Sequence, residues 1–232
     1  KSQIKKTYDI NPHKITVINR GIDTNLFNPK LNEKQEFIVF LKKFNIPDDK
    51  KIILYPGRLT GWKGQMEFLS IVEYFKNQNI IFYFVGDDKN KSFASKLIKE
   101  IKNKDLQNNC KILGQVSNSD LKMLYYCCDL VVSAPIKPEG FGRSVSESLS
   151  MKKIIISYNY GGVEDQLKAL GNIYKVAPHD QIEMRDKINK AINFSSRYKN
   201  NLGSTSRNHI IKNFSKELML TKYLKYYYKI VT

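Results

Sequence analysis

Asp129-Leu130-Val131-Val132-Ser133-Ala134-Pro135-Ile136-Lys137-Pro138-Glu139-Gly140-Phe141-Gly142-Arg143-Ser144-Val145-Ser146-Glu147 joins three kinds of local structure in one stretch. The apolar run ending at Ser133 reads as a buried strand, Pro138–Gly142 as a turn, and residues 144–151 as a short helix. Gly140 and Gly142 let backbone N–H groups come close to a ligand. The helix start adds unpaired donors and roughly half a positive charge, so the whole unit suits an anion. Two carboxylates, Glu139 and Glu147, bracket the turn eight positions apart. Each also has a plainer reading. Ser144-x-x-Glu147 fits a capping box that needs no ligand, and Glu139 fits a solvated turn.

The same alternation continues outward. Strands are expected at Ile52–Pro56, Ile80–Val85, Lys111–Leu113, Leu130–Ser133, Ile154–Ser157 and Ile173–Lys175, with helices near 63–77, 90–103, 118–127, 144–151 and 162–170 between them. Continuous apolar strands separated by helices imply a parallel sheet covered on both faces, a doubly wound Rossmann-like α/β domain. Ligands in such sheets bind outside the carboxyl ends of the strands. Ahead of the domain, residues 1–10 suggest a short helix, Ile15–Ile18 a strand, and Phe37–Phe44 another helix. Beyond 178 the strands cease, and residues 180–194, 197–212 and 214–230 read as helices. The last is rich in Tyr and Lys, with Lys222, Lys225 and Lys229 on one face.

A second candidate anion site follows the first strand: Gly57-Arg58-Leu59-Thr60-Gly61-Trp62-Lys63-Gly64. Arg58 can fork onto phosphate oxygens and Lys63 supplies a mobile point charge. The stretch lacks the Gly-Lys-Ser/Thr ending of a Walker loop and the Gly-x-Gly-x-x-Gly of a dinucleotide fold. Val85-Gly86-Asp87-Asp88 and Leu113-Gly114-Gln115-Val116-Ser117 end the next two strands at the edge where a base would rest, and Ser117 reads as a helix cap.

Composition narrows the classes. The chain has 232 residues, 39 basic against 22 acidic, and a net charge of +17. That balance favours phosphates, acidic surfaces or anionic lipid. The lysines are spread through every segment rather than clustered, so a nucleic-acid partner is not expected. No apolar run reaches the ~18 residues of a membrane span. Cys110, Cys127 and Cys128 form no metal-ligand pattern and suggest reduced thiols in a cytosolic compartment. His13, His179 and His209 fall outside the candidate segments, and no Ser-His-Asp set emerges.

Glu139-x-Phe141-Gly142 with a second Glu at 147 resembles the signature of retaining glycosyltransferase family 4, which has the two-Rossmann-domain GT-B architecture. Gly57-Arg58-Leu59…Lys63-Gly64 is similar to that family's Gly-Arg-Leu…Lys-Gly element, and Gly114-x-Val116-Ser117 to its base-reading turn. Val17-Ile18-x-x-Gly21-x-Asp23, followed by Phe27-Asn28-Pro29, resembles the segment that closes its acceptor domain. Two departures stand out: Asp165 occupies a Glu position in Gly161-Gly162-Val163-Glu164-Asp165, and Met151-Lys152-Lys153 replaces a usual Gly.

The resemblance implies a donor-binding half. Residues 1–28 would be the tail of an acceptor domain lying outside this chain, 29–212 the nucleotide-sugar domain, and 213–232 a helix crossing back onto the first domain; a membrane-surface helix is the alternative. It assigns Arg58 and Lys63 to the donor diphosphate, Glu139 to the sugar and Glu147 to the ribose. Backbone amides of Phe141, Gly142, Arg143 and Ser144 would hold sugar and phosphate, and Gly57, Gly86, Val116 and Gly140 complete the donor site. Glu139, Arg58 and Lys63 would carry the catalysis. No Asp-x-Asp motif is present, so neither metal nor other cofactor is expected. The implied enzyme is cytoplasmic, or peripheral at the inner membrane face where its acceptor is lipid-linked. The isolated chain would bind donor but transfer poorly. Rival readings are a non-catalytic nucleotide-sugar-binding fragment, a basic nucleic-acid-binding α/β protein, and a phosphorylase-like enzyme on the same fold.

Overall fold

The computed structural model describes residues 4, 7–30, 34–87 and 91–231. Among these, six strands form one parallel sheet: β1 Lys51–Pro56, β2 Ile80–Val85, β3 Cys110–Gly114, β4 Leu130–Ser133, β5 Ile155–Tyr158 and β6 Lys175–Val176, in the order β3-β2-β1-β4-β5-β6. Chain order therefore reverses between β1 and β4. At such a crossover the connecting turns diverge to opposite faces and leave a crevice outside the strand ends.

The strands form where the sequence is apolar on both faces. Every residue of β2 and β4 is buried, as are all of β1 after Lys51 and all of β5, as burial under helices on both sides requires. The helices are α1 Lys34–Lys43, α2 Gln65–Tyr74, α3 Lys91–Asn103, α4 Asn118–Cys127, α5 Arg143–Ser150, α6 Gly162–Leu167, α7 Gln181–Ile192, α8 Ser196–Phe214 and α9 Lys216–Val231. Helix α2 packs with α3 and α7, while α1 meets α4, and α5 meets α6 and α8. Phe68, Leu97 and Met184 fill one set of contacts and Leu124, Val145 and Ile210 the other, all buried. Ser117 caps α4, its Oγ accepting from Asp120 N at 3.0 Å.

Two expected strands are corrected. Ile15–Ile18 takes no regular secondary structure. A strand is defined by a neighbour to pair with, which local apolar content does not supply, and Val17 is instead exposed on a rim. The last strand starts later than expected, at Lys175, because Asn172–Tyr174 winds into a 3-10 turn that buries Tyr174. Near the amino end Ile4, Thr7 and Tyr8 have helical backbone; residues 1–3, 5 and 6 of the expected helix, and Asp88 of the turn after β2, lie outside the described residues.

The segment before α1 belongs to the same packed body. Ile22 and Phe27 are buried, and Ile22 exchanges backbone hydrogen bonds of 2.8 Å with Phe214 and Lys216. Arg207 on α8 gathers the carbonyls of Thr24, Phe27 and Ser150, which ties this segment to α5 and α8. Helix α9 differs: it buries none of its residues, and Tyr223, Leu224, Tyr227, Tyr228 and Ile230 are all exposed. Among the described residues no helix is long and apolar enough to cross a membrane.

Candidate functional site

The turn after β1 and the loop after β4 meet at the sheet crossover, and the sutures between them can be named. Tyr55, fully buried in β1, donates its hydroxyl to the Lys63 carbonyl at 2.5 Å and accepts from Ala134 N at 3.1 Å. Ile136 N donates to the Trp62 carbonyl at 2.8 Å. The 3-10 turn Gly61–Lys63 ends at Gly64, whose φ of 81° and contact with the Ala134 carbonyl oxygen leave no room for a Cβ. Backbone thus rests on backbone, and Lys63 is delivered to the loop that follows β4.

In that loop the peptide planes share an orientation. The Glu139 carbonyl accepts from Gly162 N at 2.7 Å, and the Phe141 carbonyl accepts from Gln166 Nε2. The Gly142 carbonyl accepts from Val145 N at 3.1 Å and from Gln166 Nε2 at 3.4 Å. In a trans peptide the N–H points opposite to the C=O. With three carbonyls turned toward α6 and the start of α5, the N–H groups of Gly140, Gly142 and Arg143 face the other way. Among the described residues none of the three has an acceptor. Such a row of free N–H groups has the form of a nest that can accept an anion. Gly142 is the N-cap of α5 with φ 77°, so the positive end of that helix points the same way.

The cleft between the two loops has a volume of about 700 Å³. Its lining includes Arg58, Trp62, Lys63, Glu139 and residues 140–143, together with Asp165, residues 17–20 and Phe214, whose ring centre lies 6.3 Å from that of Phe141. Lys63 Nζ donates to Glu139 Oε1 in an ion pair whose side chains are 14% and 8% exposed. The second oxygen of Glu139, Oε2, is buried without a hydrogen-bond partner. Buried acceptors are nearly always satisfied, and this one belongs to a residue that lines the cleft. Arg58 is exposed, its guanidinium 5.6 Å from the Trp62 ring centre, and Lys63 Nζ is 4.7 Å from the same ring.

Glu147 sits one layer deeper. Its Oε2 accepts from Tyr125 Oη at 3.0 Å, and its Oε1 pairs with Arg143 Nη2 at 3.1 Å. Burial raises its pKa above the usual carboxylate value, with Arg143 and Tyr125 pulling it back in part. The capping-box reading does not hold: α5 begins at Arg143, no side chain caps it, and Glu147 bonds to an arginine one turn back instead.

Of the residues singled out in the sequence, Arg58, Lys63, Glu139, Gly140, Phe141, Gly142 and Arg143 line the one cleft. Gly57, Ser144 and Glu147 lie outside its lining; Ser144 and Glu147 are buried in α5. Gly86 and Val116 lie farther along the same sheet edge, also outside the lining. Sequence reasoning missed Arg20, Trp62 and Asp165 as cleft residues, and missed Tyr55 and Gln166 as the groups that hold the two loops. Among the described residues no three His, Cys, Asp or Glu side chains gather as metal ligands.

Residues 25–209 match the family described as Glycosyl transferases group 1. The chain belongs to that family. This group 1 chain is similar over its whole length to a crystal structure of a glycosyltransferase from Rickettsia africae, with a TM-score of 0.93 and 31% identity, covering 61% of that protein. Anabaena HepE, solved in complex with UDP-glucose, has the same fold at 21% identity, with a TM-score of 0.81 over 94% of this chain and 58% of that one. A lipopolysaccharide 1,2-N-acetylglucosaminetransferase of Salmonella typhimurium is 23% identical over 84% of this chain and 49% of its own length. The group 1 chain thus spans about half the length of the curated relatives it matches.

Proposed function

We propose that this chain is the donor-binding half of a retaining, metal-independent glycosyltransferase that takes a hexose-type sugar from a nucleotide-diphosphate donor. The observation that carries the reading is the cleft at the β1/β4 crossover, where Arg58, Lys63, a nest of three N–H groups and the half-satisfied Glu139 face one another. Arg58 and the N–H groups of Gly140, Gly142 and Arg143 take the diphosphate. Lys63 leaves Glu139 for a phosphate oxygen, and the freed carboxylate accepts hydrogen bonds from sugar hydroxyls. Glu147 reaches the ribose when the exposed Arg143 side chain swings aside.

The leaving group is a nucleoside diphosphate whose charge grows as the glycosidic bond breaks. Charge-assisted hydrogen bonds contribute about 1.5–3 kcal/mol each, and the α5 terminus up to about 1 kcal/mol more. Fixed groups of this kind stabilise an oxocarbenium-like transition state without a divalent cation. The UDP-glucose complex of the Anabaena relative and the lipopolysaccharide acceptor of the Salmonella one support a nucleotide-sugar donor and a cell-envelope glycan or glycolipid acceptor. Acceptor binding then belongs to a domain outside this chain.

The test is a thermal-shift screen against nucleoside diphosphates and their sugars, with Arg58→Ala and Glu147→Ala as controls. One base should raise the melting temperature of the wild type and of neither variant. No shift with any of them at millimolar concentration would sink the donor reading.

A further inference from the structure

The direction of the nest is set from behind. Gln166 on α6 is fully buried, between Val163 and Leu167, which are also buried. Its Nε2 donates to the Phe141 carbonyl and, at 3.4 Å, to the Gly142 carbonyl. Its Oε1 accepts from Ser146 Oγ at 2.6 Å, and its main-chain carbonyl lies 2.9 Å from His209 Nε2. The two carbonyls fix which end of the amide faces the loop, because a flipped amide would set oxygen against both of them, and the Ser146 hydroxyl then donates to the oxygen left behind. An amide buried among apolar side chains costs free energy that only such bonds offset, so packing alone would favour an apolar residue here. The adjacent Glu164 and Asp165 are exposed and take no part.

We propose that Gln166 is a positioning residue for donor binding. It holds the carbonyls of Phe141 and Gly142 against α6, and so aims the N–H groups of Gly142 and Arg143, which share those peptide planes, at the donor diphosphate. The inference rests on the reading of the cleft as a diphosphate site, and its role is indirect: Gln166 touches the loop and not the ligand.

The test compares wild type with Gln166→Leu and Gln166→Glu in two assays. Amide hydrogen exchange over residues 138–146 needs no ligand. Calorimetric titration with UDP, or with whichever nucleoside diphosphate the screen selects, reads affinity at about pH 8.5 and about pH 5.5, a range that brackets a buried carboxyl. Gln166→Leu should speed exchange in that loop alone and weaken binding about tenfold or more at both pH values. In Gln166→Glu the introduced carboxylate opposes two carbonyls at high pH, and once protonated it can donate as the amide does. Its affinity should therefore be poor at about pH 8.5 and return to within about threefold of wild type at about pH 5.5. The wild-type profile over the same range controls for the groups facing this region: His209 on α8, Lys63 and Glu139 in the two loops, Arg143 and the buried Glu147 on α5, and Glu164 and Asp165 on α6.

Wild-type affinity in a folded Gln166→Leu protein, or unchanged loop exchange, would overturn the proposal. If Gln166→Leu does not fold, the pH recovery of Gln166→Glu decides, and a flat profile counts against it. If the wild type binds no nucleoside diphosphate, the donor reading has failed, and the exchange assay still decides whether Gln166 sets the loop.

Discussion

Lys63→Met keeps most of the side-chain stem and removes its charge, which isolates the bond between the two loops. Glu139 would be left 8% exposed with neither oxygen paired, since Oε2 already lacks a partner. Removing one member of a fully buried ion pair costs about 3–5 kcal/mol. Here Lys63 retains 14% exposure beside an open cleft, which puts the expected loss nearer about 2–3 kcal/mol. In a chain of this size each kcal/mol moves the melting temperature by about 2–4 °C, so a fall of about 4–12 °C follows.

Urea unfolding of wild type, Lys63→Met, Glu139→Gln and the double variant, followed by circular dichroism near neutral pH, completes the cycle. The double variant should recover about 2 kcal/mol relative to additivity. A loss below about 0.5 kcal/mol that is additive with Glu139→Gln would refute the reasoning.

Arg58→Ala should leave the melting temperature within about 1–2 °C, because the side chain is exposed. It should nonetheless weaken nucleoside-diphosphate binding by about 10–100-fold in a calorimetric titration; wild-type affinity would remove Arg58 from the site. Glu147→Gln should raise stability near pH 7.5. Burial raises the pKa of Glu147, so the ionised carboxylate penalises the fold above that value and not below the unfolded one, and the gain in melting temperature should narrow toward about pH 4. A lower melting temperature at pH 7.5 would contradict this. Gly142→Ala combines φ 77° with a Cβ only 2.6 Å from Val163 Cγ2, and should cost about 2 kcal/mol or more in denaturant unfolding; a neutral substitution would mean the loop has another conformation. Transfer by the whole enzyme, acceptor domain included, should survive EDTA, and loss of activity on chelation would count against metal independence.

What was legible in the sequence was local. The runs Ile80–Val85 and Leu130–Ser133 became strands with the expected bounds, and Asn118–Cys127 a helix with the expected cap, because burial on both faces and a capping serine leave marks within a few residues. The glycine-rich turns were visible for the same reason. What was not legible depends on distant partners. Ile15–Ile18 has the composition of a strand and nothing to pair with among the described residues. Lys63 and Glu139, 76 positions apart, are brought to one site only by the family resemblance, and nothing local shows that they pair with each other. Tyr55 reads as one more aromatic in an apolar run, although its hydroxyl joins two loops. Gln166 reads as a surface residue of a short helix, since a buried amide is distinguished only by the carbonyls it faces. Helix α9 was expected to cross back onto another domain, and none of the described residues buries it.

The most direct measurement is hydrogen exchange with and without the nucleoside diphosphate that the screen selects. If one diphosphate bridges the crossover, residues 57–64 and 138–147 should gain protection together, at the same ligand concentration, and Arg58→Ala should abolish both. Protection of one segment without the other, or of neither, would mean that the two turns do not share a ligand.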